Sequence, residues 1–82
     1  MNYQSAQYNI KIPNFPPGNV PIDLAAKIFQ KDRVWIRNRM EEGKLPIGVC
    51  SKSEQGEQRN FYISPKLLWE FTGYIWKGER DQ

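Results

Sequence analysis

The sequence has 82 residues, a net charge of +3 and a pI near 9.2. This length predicts one domain with a small core, which excludes an enclosed substrate cavity built on a catalytic scaffold. The chain has no histidine and a single cysteine, Cys50, so that zinc sites, intramolecular disulfides and a nucleophile–base pair are all excluded. We therefore expect a protein that is not an enzyme and has no cofactor or small-molecule substrate.

The apolar residues are too dispersed for a membrane span, which needs roughly 20 consecutive apolar residues. The N-terminus lacks the basic start and long apolar run of a signal peptide. Together with the lone Cys50, these features predict a soluble protein of the reducing cytoplasm that has no membrane partner. The positive charge permits binding to nucleic acid or another anionic surface without requiring it.

Residues 1–19 predict a flexible leader, because they are polar and interrupted by three prolines. The domain itself is expected to span residues 20–78, followed by a frayed tail at 79–82. Its first helix opens at Pro21, since proline suits the first turn of a helix. Apolar residues then recur at helical spacing, namely Ile22, Ala25, Ala26 and Phe29.

A turn at Gln30 and Lys31 leads to Asp32, a favourable N-cap for a second helix over residues 33–42. The stretch from Lys31 to Arg39 holds four cationic side chains and one acid. Helical spacing gives this helix an inner face of Trp35, Ile36, Arg39 and Met40, and an outer face of Arg33, Val34, Arg37, Asn38 and Glu41. Gly43 is expected to end it.

Residues 47–51 and 60–63 are rich in β-forming residues and predict a two-stranded hairpin around a polar loop. Ser64 and Pro65 then predict the start of a third helix, as its N-cap and first residue. Gly73 is expected to end that helix. The C-terminal region holds three large aromatic residues, Trp69, Tyr74 and Trp76. They form either an exposed patch that binds a partner protein or a tail that folds over the core.

Several blocks of sequence occur in an order that resembles a known family. They are Ala25-Ala-Lys-Ile-Phe29, Ile36-Arg37, Gly43-Lys-Leu-Pro46, Phe61-Tyr-Ile-Ser-Pro-Lys66 and Phe71-Thr-Gly73. Over residues 20–78 this order resembles small excisionase-like DNA-binding proteins of phages and integrative elements, within the MerR-like winged helix-turn-helix group. The resemblance implies an α+β fold with three helices and a two-stranded hairpin, called the wing, that binds double-stranded DNA.

In that family the second helix faces the major groove, which carries the base-contacting role over to Arg33, Val34, Arg37 and Asn38. Arginine pairs bidentately with guanine and asparagine with adenine, so these residue types suit that role. A solvated helix face without a partner is the alternative interpretation. Phosphate contacts are expected from Lys31, Lys44, Lys52 and Arg59.

The sequence departs from the family pattern at two places. Gln30 stands where glycine is usual, which predicts a looser turn between the first two helices. Glu54 and Glu57 lie in the tip of the wing, where phosphates would repel them. The wing is therefore expected to approach DNA through its base rather than its tip.

The resemblance implies an excisionase, or recombination directionality factor, acting in a bacterial host cell. Such a factor binds repeated sites at an attachment region, bends the DNA and works with an integrase. Bending DNA by about 40–90° costs on the order of 1–6 kcal/mol, which favours cooperative self-association on DNA. Two alternatives stay open: a small phage transcription regulator that binds an operator, and a protein-interaction module that uses Trp69, Tyr74 and Trp76.

Overall fold

A computed structural model of the chain describes residues 11–52 and 58–79. This part of the chain is a small α+β arrangement of three helices and one two-stranded antiparallel hairpin, as predicted. The elements are α1 (Ile22–Phe29), α2 (Arg33–Glu41), β1 (Gly48–Lys52), β2 (Arg59–Ile63) and α3 (Pro65–Thr72). The predictions for residues 1–10, for Glu54 and Glu57 in the hairpin loop and for residues 80–82 lie outside the described residues.

The turn between α1 and α2 is tight. Gln30 adopts the left-handed conformation, with φ 58° and ψ 42°, and its N–H group donates to the Lys27 carbonyl at 3.2 Å. The Lys31 N–H donates to the Ala26 carbonyl at 3.0 Å, which closes the C-terminus of α1. The expectation of a looser turn was therefore wrong, because Gln30 itself takes the conformation that glycine would supply.

Replacing Gln30 by glycine should stabilise the protein. The left-handed conformation costs a non-glycine residue about 1–2 kcal/mol, and the greater freedom of glycine in the unfolded chain offsets part of this gain. We expect a net gain of roughly 0.5–1 kcal/mol, which raises the melting temperature by about 2–8 °C in a domain of this size. Thermal unfolding followed by circular dichroism measures this shift, and an unchanged or lower melting temperature contradicts it.

α2 begins at the predicted residue and buries the predicted apolar side. The Asp32 carboxylate accepts a hydrogen bond from the Trp35 N–H at 2.8 Å, which confirms the N-cap. Ile36 and Met40 are buried, whereas the two residues of the first turn next to the cap, Arg33 and Val34, are exposed. The helix thus packs through its apolar side and leaves a cationic side at the surface.

The hairpin is fixed against the start of α1 through its β2 edge. The Val20 N–H donates to the Ile63 carbonyl at 3.0 Å. The Asn19 side chain donates to the Phe61 carbonyl at 3.1 Å and accepts from the Ile63 N–H at 2.8 Å. Edge strands carry backbone groups that need partners. Residues 19 and 20 supply these partners and thereby hold β2 beside α1.

α3 begins and ends at the predicted residues. The Ser64 hydroxyl accepts from the Leu67 N–H at 3.2 Å, Pro65 is the first helical residue, and Gly73 ends the helix with a φ of 83°. The core combines side chains from the three helices, from β2 and from the segments before α1, before β1 and after α3: Val20, Ala25, Ile36, Met40, Leu45, Ile47, Ile63, Leu68 and Trp76.

Trp69, Tyr74 and Trp76 do not form an exposed aromatic patch. Trp76 is completely buried, Trp69 and Tyr74 are half-buried, and the ring of Trp69 lies 5.7 Å from that of Phe15. The chain after α3 folds over the core, because covering a tryptophan removes a large apolar area from water. The hypothesis of a protein-interaction module therefore loses the surface on which it was based. Through Phe15, residues 11–19 of the predicted leader contact the domain.

Candidate nucleic-acid interface

The outer side of α2 presents the four residues predicted to contact bases. Arg33 and Val34 are exposed in its first turn, and Arg37 and Asn38 follow one turn later and are half-buried. Arg33 pairs with Asp23 in the first turn of α1, with 3.3 Å between Nη1 and Oδ1. Both side chains of this pair are well exposed, so the attraction is weak and Arg33 can turn to another acceptor.

Trp35 lies between two cations at the edge of this side of α2. Its ring centroid is 6.3 Å from that of Phe29 in α1, which confirms the prediction that Trp35 packs within the domain. The Lys31 ammonium and the Arg39 guanidinium lie 5.4 and 5.7 Å from the indole centroid, within the range of cation–π attraction. Arg39 also forms an ion pair with Glu42 at 2.8 Å, so its side chain is engaged within the protein. Lys31 is exposed.

The predicted phosphate-contacting residues flank α2 at both ends. Lys31 precedes the helix and Lys44 follows it, while Lys52 and Arg59 lie opposite each other at the loop end of the hairpin. The Lys44 side chain is largely exposed, and its Nζ lies 3.9 Å from Oε1 of Glu42, at the outer limit of an ion pair. Cationic groups are therefore present before α2, after it and on the neighbouring hairpin.

Glu41 joins the end of α2 to the loop end of the hairpin. The Lys52 Nζ lies 3.3 Å from Oε2 of Glu41, and Nη1 of Arg59 donates to Oε1. These hydrogen bonds, first that of Arg59 and then that of Lys52, hold the pKa of Glu41 below its ordinary value. The ionic contact is therefore complete at neutral pH, and its contribution to stability is lost as the pH falls through the lowered pKa.

Sequence reasoning did not identify Glu41 or Asn19 as residues that position the site. The partners of Glu41 in the hairpin and those of Asn19 in β2 are distant in sequence, so no local spacing connects them. One signal for Glu41 was present. An acid at the C-terminus of a helix opposes the helix dipole, which indicates that a cation from elsewhere stabilises it.

Within residues 11–52 and 58–79, no three histidine, cysteine, aspartate or glutamate side chains are grouped so that they could hold a metal ion. Cys50 is half-buried on β1. None of the helices in these residues has the length and apolar character needed to cross a membrane. Around α2 the structure instead concentrates guanidinium and ammonium groups, which bind anions.

The described residues define a small α+β domain in which a pair of helices joined by a tight turn is followed by an antiparallel hairpin and a third helix. Comparisons with protein-family models, with curated proteins and with solved structures found no match to this chain. Function is therefore inferred from the residues of the chain and their arrangement.

Proposed function

We propose that the protein binds double-stranded DNA in a sequence-specific manner, as a winged helix-turn-helix of the MerR-like, excisionase-like kind. The observation that supports this best is the tight turn and capped start of α2, which leave Arg33 and Val34 exposed in its first turn. In a helix-turn-helix the N-terminal residues of the second helix contact base edges in the major groove. Arg33 and Val34 occupy those positions, and Arg37 and Asn38 lie one turn further along.

The cations around α2 support contact with the DNA backbone. Lys31 and Lys44 at the ends of the helix and Lys52 and Arg59 on the hairpin suit phosphate groups on either side of a groove. Each phosphate neutralised by such a cation releases counterions and makes binding more sensitive to salt. In this proposal the hairpin acts as the wing and contacts DNA through Lys52 and Arg59, which flank its loop.

Within this class, the resemblance in sequence favours an excisionase or recombination directionality factor. Such a protein binds several sites at an attachment region, bends the DNA and recruits an integrase. One module of this size covers a short stretch of DNA, which favours side-by-side binding of several copies. A small transcription regulator would use the same surface, and it would differ in binding an operator rather than clustered repeats.

Selection of bound duplexes from a random pool, in the presence of excess unspecific competitor DNA, tests the proposal. We expect one sequence motif to be enriched, with guanine at the positions that Arg33 reads, because arginine pairs bidentately with guanine. Repeating the selected motif in tandem should then give cooperative binding in a gel-shift titration. Failure to enrich any motif over the competitor would contradict sequence-specific binding.

Replacing Glu41 by glutamine should strengthen binding to DNA. In the free protein Lys52 and Arg59 share the Glu41 carboxylate, which phosphates also repel. Glutamine removes this charge, so both cations become available to phosphates. We expect tighter binding, because phosphates no longer compete with the Glu41 carboxylate for Lys52 and Arg59, and a log–log salt slope at least as steep as that of the parent.

The control for this variant is Glu70→Gln, which removes the same charge from α3, where Glu70 pairs with Lys66 at 3.4 Å. Fluorescence anisotropy with one labelled duplex compares the two variants across a range of salt concentrations. Equal affinities and equal slopes for Glu41→Gln and Glu70→Gln would place Lys52 and Arg59 away from DNA.

A further inference from the structure

A pocket of about 250 Å³ opens between α2, β2 and the chain that leads into α1. Arg37 from α2 and Arg59 from β2 contribute to its walls. Val20, Phe61 and Ile63 line it with apolar side chains. The pocket thus lies between two arginines and a partly apolar wall, at the place where the two-helix unit meets the hairpin.

The two charged residues that line this pocket are both arginines, whose side chains are hydrogen-bond donors. The side chain of Asn19, which also lines the pocket, is engaged with β2 through both its amide nitrogen and its oxygen. Arg37 has no ion-pair partner in the part of the chain that the structure describes. Arg59 is held by Glu41, which is not among the described lining residues. Two arginines that meet no carboxylate within the pocket favour an anion, and phosphate in particular.

The size and lining of the pocket indicate what accompanies the phosphate. Its volume lies below the roughly 300–1,000 Å³ of pockets that enclose whole small-molecule ligands. A nucleobase would stack on an exposed aromatic face, but the Arg59 guanidinium lies over the Phe61 ring, 5.6 Å from its centroid. A deoxyribose presents C–H groups that suit the apolar lining, while its phosphate suits the arginines.

We propose that this pocket holds one sugar–phosphate unit of the DNA backbone, with its phosphate shared by Arg37 and Arg59. The inference rests on the proposed binding of double-stranded DNA and deepens it. Arg37 then contacts the backbone, and base recognition falls to Arg33, Val34 and Asn38. Because α2 and β2 hold the same phosphate, the hairpin sets the register and angle of α2 in the groove, as backbone contacts do generally.

Ethylation interference on the duplex selected from the random pool tests this assignment. An ethylated phosphate loses its charge, so a phosphate needed for binding is depleted from the bound fraction. We expect Arg37→Gln and Arg59→Gln each to weaken binding about tenfold, the loss expected for a hydrogen bond to a charged group. Each variant should also abolish interference at one and the same phosphate.

Two further variants and a melting curve of each protein complete the experiment. Lys44→Gln removes the same charge outside the pocket and should abolish interference at a different phosphate. Arg37→Lys keeps the charge, so it should retain interference at the shared phosphate with weaker binding, because an ammonium cannot bind bidentately. If the melting curve shows that Arg37→Gln is unfolded, Arg37→Lys is compared with the parent instead. An affinity and an ethylation-interference pattern equal to those of the parent would overturn the assignment.

The outcomes separate the pocket from the function on which it rests. One contradicting outcome is that Arg37→Gln folds and leaves interference unchanged at every phosphate. Another is that it removes interference at a phosphate other than the one affected by Arg59→Gln. In either case the pocket assignment is wrong while DNA binding stands. If the parent protein binds no duplex at any salt concentration, both the pocket assignment and the proposed function are wrong.

Discussion

Replacing Arg33 and Arg37 together by alanine is expected to abolish specific binding to DNA while leaving the protein folded. Arg33 supplies a base contact worth about 1–3 kcal/mol of discrimination. Arg37 supplies a charge-assisted contact to the backbone worth about 1.5–3 kcal/mol. Their joint loss corresponds to a fall in affinity on the order of a hundredfold or more. Gel-shift titration of the selected duplex measures this loss.

The single variants Arg33→Ala and Arg37→Ala are expected to affect DNA binding in different ways. Arg33→Ala should relax the sequence preference at one position, because a base contact is removed, whereas Arg37→Ala should weaken binding to all sequences alike. Lys27→Ala combined with Lys66→Ala removes the same charge from α1 and α3 and controls for net charge. If the Arg33/Arg37 double variant bound the selected duplex as the parent does, α2 would not be the recognition helix.

Replacing Gly48 by alanine is expected to disrupt the hairpin. An alanine Cβ at this position would lie 1.8 Å from the Tyr62 carbonyl oxygen and 2.9 Å from the Ile63 Cα, both of them backbone atoms of β2. Backbone cannot move aside as the end of a flexible side chain can, so the two strands must separate. Overpacking usually costs about 1–3 kcal/mol, and we expect a loss at or above the upper end of this range.

A loss of that size is large for a domain of this length, whose core rarely supplies more than about 3–5 kcal/mol. Circular dichroism should therefore show a melting temperature lower by about 12 °C or more, or no cooperative transition. DNA binding should fall in parallel, because Lys52 and Arg59 depend on the hairpin for their position. Ser51→Ala, at an exposed position of the same strand, should melt like the parent, and a similar melting temperature for Gly48→Ala would refute the close approach.

The helices were predictable because their ends are encoded by local signals. Asp32 and Ser64 are N-caps whose side chains accept from backbone groups three residues later, and this contact needs no knowledge of the rest of the fold. Gly73 ends α3 for an equally local reason, the left-handed conformation that glycine adopts at low cost. Spacing within α2 likewise separated the buried residues Ile36 and Met40 from the exposed residues.

The sequence predicted the cationic residues of the candidate site but not how the fold brings them together. The sequence placed Arg37 and Arg59 in different roles, and only the folding of β2 beside α2 brings both to one pocket. The burial of Trp76 was one of two open interpretations, since whether a tail returns to the core depends on space left by distant elements. The close approach at Gly48 was not predicted, because the atoms that it meets belong to β2 and depend on the register of the hairpin.

In the free protein α2 is linked to the neighbouring elements at both ends. The turn at Gln30 sets its start, the Arg33–Asp23 pair links its first turn to α1, and Glu41 links its last turn to the hairpin. Binding sites on such rigid elements position their side chains more accurately than sites on loops. The exposed pairs contribute little to stability individually, so in the proposed complex Arg33, Lys52 and Arg59 can exchange their carboxylate partners for DNA.

The central claim is that α2 and the hairpin together bind double-stranded DNA. The most direct test is to measure the affinity for the selected duplex as a function of salt concentration. Five cations are assigned to phosphates: Lys31, Arg37, Lys44, Lys52 and Arg59. Because Arg37 and Arg59 share one phosphate, these five cations neutralise four. At about 0.9 for each phosphate, the plot of log affinity against log salt should have a slope of roughly −3.6, which is a loss of about 150-fold between about 50 and 200 mM. A parent protein that binds duplex DNA with no dependence on salt, or does not bind it at all, would contradict the claim.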